Sequence, residues 1–155
     1  RADAAVNDRD WQSTLTEPLT KRPPINPGSY SAMIGEPKAK QWSKQDPDSG
    51  EVRSGVVLNV PLTIDLPADE AGRVGQPKVT VTDSVFLDMK EDGLSLDSAP
   101  GKNRQLRAYR EALNLNNPGD KFSYAMMQGR PIKVAVKHDA KSGEVYERIG
   151  AVARP

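Results

Sequence analysis

The 155 residues carry 36% hydrophobic and 28% charged side chains, enough apolar material for one core with polar extensions, which excludes a wholly disordered chain. Lys and Arg number 22 against 21 Asp and Glu, a net charge of +1, so a general polycation is excluded and affinity for an anion must come from local sorting of charge. Cysteine is absent and no apolar run approaches the ~18 residues that span a bilayer, which removes disulfides, thiolate metal sites and a membrane role, and makes the cytoplasm (the host's, if the chain is viral) the expected location.

Residues 1–28 form an N-terminal arm, partly disordered or docked. Pro23, Pro24 and Pro27 forbid a continuing helix there, and Trp11 and Leu15 have the spacing of one helical turn able to dock on the remainder. Ser29 to Trp42 reads as the first strand of a domain spanning 29–155. Tyr30, Ala32 and Ile34 alternate with Ser31 and Met33, Gly35 marks a bulge or bend, and Lys38, Lys40 and Trp42 then fall on one face. Asp46 to Gly50 has turn chemistry.

The second strand has the cleanest period of two in the chain. Val56, Leu58, Val60, Leu62 and Ile64 make a core face, and Pro61, lacking an amide donor, requires an edge or a bulge. Pro67 to Pro77 reads as a polar loop, and Lys78 to Asp88 as a third strand with Val79 and Val81 on one side and Thr80 and Thr82 on the other. After a turn at Asp92 and Gly93, a helix is predicted from Asn103, its capping residue, with an apolar stripe of Leu106, Tyr109 and Leu113 among Lys102, Arg104, Arg107 and Arg110; Pro118 and Gly119 follow its end. Phe122 to Met127 fits a short helix or a strand equally. Pro131 to Lys137, a loop at Asp139 to Gly143, and Glu144 to Val152 form a closing hairpin.

The material for catalysis is thin. His138 is the only histidine, so metal clusters and histidine-paired nucleophiles lack their parts, and it reads as a surface residue. Asp88, Lys90, Asp92 and Gly93 open like a calcium loop, but Lys90 stands where an oxygen ligand belongs and Ala99 where a bidentate Glu is required. No phosphate loop is present and the acids are scattered through turns, so no enzyme, cofactor or metal is expected. What remains is cations interleaved with rings. Lys38, Lys40, Trp42 and Arg53, with outward Lys133 and Lys137, are expected to line one groove in which phosphates meet cations and unpaired bases stack. Arg107 on the helix and Tyr146 on the last strand complete the DNA-binding candidates, although Tyr146, like Tyr30 and Tyr124, also fits a core or rim ring. Outward lysines equally serve solubility and edge protection.

Five strands with a helix between the third and fourth match the order of an OB-fold, a small curled barrel within the mainly β (α+β) class; a β-sandwich with an incidental helix is the competitor. Phe86-Leu87-Asp88, Asp92-Gly93-Leu94, Gly101-Lys102-Asn103 with Leu106, Arg110-Glu111-Ala112-Leu113, Asn117-Pro118-Gly119, and Gly129-Arg130 ahead of the Lys-Val-Ala-Val-Lys-His strand at 133–138 resemble a family of small bacteriophage-encoded single-stranded DNA-binding proteins. The similarity covers about Gly28 to Val152. It implies an OB-like fold and sequence-tolerant binding of single-stranded DNA in viral replication or recombination, with replication or recombination proteins as further partners and room for an oligomer. The acidic tail by which many such proteins recruit partners has no counterpart in Ala151 to Pro155. The alternative is a structural or adaptor β-domain, in a virion or a replication complex, that does not touch nucleic acid.

Overall fold

The computed structural model describes residues 22–155, so the Trp11–Leu15 turn lies outside the described residues. Six antiparallel strands form one sheet: β1 (Gly28–Ile34), β2 (Lys38–Gln45), β3 (Val52–Asp65), β4 (Lys78–Leu87), β5 (Pro131–Lys141) and β6 (Glu144–Ala153). Two helices, α1 (Ala68–Val74) and α2 (Arg104–Ala112), and a 3₁₀ turn at Tyr124–Met127 complete the described elements. The strands run in the order β2-β3-β1-β5-β6, with β4 on the other edge of β3.

Six strands replace the expected five because the first is broken. β2 pairs with the first half of β3, from Lys38 opposite Asn59 to Gln45 opposite Val52, whereas β1 pairs with its far end, Ala32 opposite Ile64. Between them the Gly35 amide donates to the Pro61 carbonyl at 2.8 Å. The carbonyl and the missing N–H of a strand residue point to the same side, so Pro61 turns its absent donor toward the break. That is how a proline stands in β3, which is flanked on both sides rather than at an edge.

The alternation read from the sequence sets the core. Leu58, Val60, Leu62 and Ile64 of β3 are buried with Tyr30, Ala32 and Ile34 of β1, Val79, Val81 and Val85 of β4, and Ile132, Val134 and Val136 of β5. Helix α2 packs against β4 and β6 and contributes Leu106, Tyr109 and Ala112 to the same cluster, with Leu113 just past its end. β4 and β6 also touch, but among the described residues no ladder joins them.

Local chemistry departs from expectation at three points. Asn103 precedes α2 but does not cap it through its side chain. It takes a left-handed φ of 52°, and its side chain bonds the Asp88 amide and the Asp88 and Asp97 carbonyls, fastening the 88–103 loop instead. The 67–77 segment holds α1 rather than only a loop. Pro67 precedes it, Asp69 and Glu70 occupy its first turn, Arg73 its last, and Gly75 ends it at φ 87°, an arrangement that suits the helix dipole and a left-handed stop. The last hairpin turns on Ser142 and Gly143 alone, at φ 53° and 77°, so β5 runs on to Lys141 and His138 lies within it. Of the two arrangements expected for the arm, residues 22–28 take the docked one. Ile25 is fully buried, and the segment is pinned by Glu147, Glu70, Arg73 and His138.

Candidate nucleic-acid interface

Cross-strand pairs share a face, so the register fixes what stands on the outside of the sheet. Lys40 lies opposite Val57, Trp42 opposite Gly55 and Lys44 opposite Arg53, while Val57 lies opposite Phe86 and Asn59 opposite Ser84. Lys38, Lys40, Trp42, Lys44, Arg53 and Phe86 therefore share the outer face of β2, β3 and β4, the face opposite Leu58 and Val60. Asp83, the acid of this part of β4, has the other parity and is hydrogen-bonded to Tyr109.

Trp42 lies flat on its partner. A Cβ built on Gly55 would sit 2.8 Å from the indole Nε1 and 2.9 Å from Cε2 and Cζ2, so the ring rests on the bare backbone of β3. Phe86 meets it edge to face, with ring centroids 6.1 Å apart and planes at 84°, an arrangement that holds both rings by about 0.5 to 1.5 kcal/mol beyond their burial. Phe86 nevertheless stays 58% exposed. It is the one large apolar ring on a strand face that otherwise reads Thr80, Thr82, Ser84.

Four cations share this face with the rings. Among the described residues, none of Lys38, Lys40, Lys44 and Arg53 is held in an ion pair. Lys44 and Arg53 stand directly opposite each other, a like-charge pair that weakens the ladder unless an anion lies across it. The acids near these four cations in sequence are Glu36, Asp46, Asp48 and Glu51; Asp46 and Asp48 belong to the turn at the ribbon tip, beside Lys44 and Arg53, where Asp46 Oδ1 accepts from the Asp48 amide at 2.8 Å. Hydrogen bonds from the Asp48 and Ser49 amides hold the Asp46 carboxyl below its ordinary value.

The sequence-derived candidates divide in space. Lys38, Lys40, Trp42 and Arg53 come together as expected, joined by Lys44 and Phe86. Lys133 and Lys137 do not share their groove. Lys133 stands opposite Ser31 of β1, and β1 reaches β3 only near Thr63, about eight residues along β3 from Gly55 and on the order of 27 Å at the rise of a strand. Lys137 lies farther out, opposite Arg148, its stem folded over Gly150. Tyr146 is exposed on the same hairpin and donates to Glu144 at 2.7 Å. Arg107 projects from α2 and pairs with Glu111 at 2.9 Å.

Phe86 and Lys44 escaped the sequence reading although both had a signal. Lys44 continues the parity of Lys38, Lys40 and Trp42, and Phe86 is the one aromatic on the polar side of β4. Among the described residues no group of three or more His, Asp or Glu is placed to hold a metal, and no helix is long and apolar enough to cross a membrane. No family profile and no curated protein matches the chain.

Proposed function

We propose that the protein binds single-stranded DNA on the outer face of β2, β3 and β4, without strong sequence preference, as a component of phage replication or recombination. The observation that carries this reading is the Trp42–Phe86 pair on the glycine platform, Trp42 half-buried and Phe86 exposed, on a face shared with four cations that are in no ion pair among the described residues. Bases offer a π-face whatever their identity, and unpaired ones can stack on such rings while phosphates meet the lysines and Arg53; a duplex hides those faces. The strand order and the contact of β4 with β6 favour an OB-type barrel closed along that seam, and OB-folds use a sheet face of this kind for oligonucleotides. The resemblance of Gly28 to Val152 to phage single-strand binders points the same way.

A fluorescence titration with a thymidine oligomer tests the reading. Stacking on Trp42 quenches indole emission, and Trp42→Ala weakens binding by about 1 to 3 kcal/mol. Unchanged affinity in Trp42→Ala would remove the aromatic platform from the site.

A further inference from the structure

The strand that crosses this face has to leave it, and the end of β4 marks an exit. β4 last pairs with β3 at Leu87 opposite Val56, whereas β3 continues back to Val52 beside β2, so Val52 to Gly55 has no strand on its β4 side. A groove of about 670 Å³ opens at this notch, lined by Trp42, Met89, Lys90 and Lys102 together with Val56 and Leu87, the last pair formed between β3 and β4, which stands on the side of the sheet opposite Trp42. That volume is within the ~300 to 1,000 Å³ of pockets that enclose small ligands. Two acids also line it, Asp88 and Asp97. Asp88 Oδ2 accepts from the Asn103 amide at 2.7 Å and Asp97 Oδ1 from the Ala99 amide at 3.0 Å, so both are engaged in shaping the loop. Lys90 and Lys102 are in no ion pair among the described residues. The Asn103 bonds to Asp88 and Asp97 hold the two lysines on a fastened loop rather than a loose one.

Resting on the function proposed above, we infer that this notch is a second nucleotide subsite. The nucleotide next to the one stacked on Trp42 turns into it, its base against Val56, Leu87 and Met89 and its flanking phosphates on Lys90 and Lys102. Trp42 borders both the outer face and the groove, so a strand leaving the face past the end of β4 enters the groove directly. The site therefore takes a strand longer than the face alone, and the 88–103 loop, which belongs to no strand, is part of it.

The experiment is a salt series with thymidine oligomers of increasing length on the full chain, wild type against Lys90→Ala/Lys102→Ala. Each neutralised phosphate contributes about 0.7 to the slope of log K against log salt, so the double variant is expected to lose about 1.4 from the slope on long oligomers and little on those too short to leave the face. An unchanged slope at every length would overturn the subsite while leaving the aromatic face standing. Absence of single-strand binding by the wild type would instead remove the function on which it rests. Asn103→Ala, which unfastens the loop while keeping both lysines, is expected to weaken binding of long oligomers only; equal weakening at all lengths would also count against the subsite.

Discussion

Gly55 is required by its neighbour rather than by its backbone. Its φ is not in the left-handed region, yet the indole of Trp42 occupies the volume that any side chain would claim, with 2.8 Å to the nearest atom. Gly55→Ala should displace the ring from β3 and from Phe86. The expected result is a loss of single-strand affinity approaching that of Trp42→Ala, about 1 to 3 kcal/mol, with a changed near-ultraviolet circular dichroism signal and the salt slope retained. A variant that binds as tightly as wild type would show that the platform geometry is not what matters. Tyr109 poses the opposite case, a buried residue with a structural duty. Its hydroxyl donates to Asp83 at 2.7 Å; burial and the adjacent Asp83 charge push the phenol well above its ordinary value. Burial also raises the Asp83 carboxyl, against the lowering effect of the Tyr109 bond. Tyr109→Phe leaves that carboxylate without its donor and should cost about 1 to 3 kcal/mol of stability in a denaturant titration, with single-strand affinity unchanged. Loss of affinity at equal stability would place α2 in the binding surface.

Among the elements, the segment entering β1 is held by carboxylates. Glu70 of α1 accepts from Arg73 Nε at 2.8 Å and from the Asn26 amide at 2.8 Å, and these bonds hold its carboxyl down at about 2, against an ordinary 4.5. At Glu147 burial pushes upward, but bonds from Arg22 and the Ile25 amide prevail and the carboxyl is also lowered. A carboxyl depressed in the folded state stabilises the fold fully above its unfolded value and loses that contribution as acid is added. For Glu70 the loss falls between pH 4.5 and about 2. The melting temperature should therefore drop across that window, and Glu70→Gln should start lower at neutral pH and drop less. Parallel curves for the two proteins would mean that the docked segment owes nothing to Glu70. Asp83, raised by burial, runs in the opposite sense and makes the comparison with the variant necessary.

At the scale of the whole molecule, what the sequence disclosed was whatever is periodic. Val56 to Ile64 announced a core face and an outer face, and the same parity placed Lys38, Lys40 and Trp42 together before any partner strand was known. What stayed hidden depended on distant partners. The break at Gly35 is set by Pro61 across the ladder, the docking of Ile25 by Glu147 at a separation of 122 residues, and the distance between Lys133 and Trp42 by which strand lies between them. Helix α1 was hidden for a local reason, since the glycines and prolines around it speak for a loop while its acidic first turn and Gly75 stop speak for a helix.

The central claim is that the face carrying Trp42, Phe86, Lys38, Lys40, Lys44 and Arg53 binds unpaired strands through phosphate neutralisation and stacking together. The most direct measurement is the affinity for a thymidine oligomer and for a duplex of equal length, each across a salt series starting at ~50 mM, where an electrostatic site is strong. The expected result is tighter binding of the single strand and affinity that falls linearly in log K against log salt, with a slope lowered by about 1.4 in Lys38→Ala/Lys40→Ala. No single-strand binding at ~50 mM salt, or equal affinity for the duplex, would contradict it.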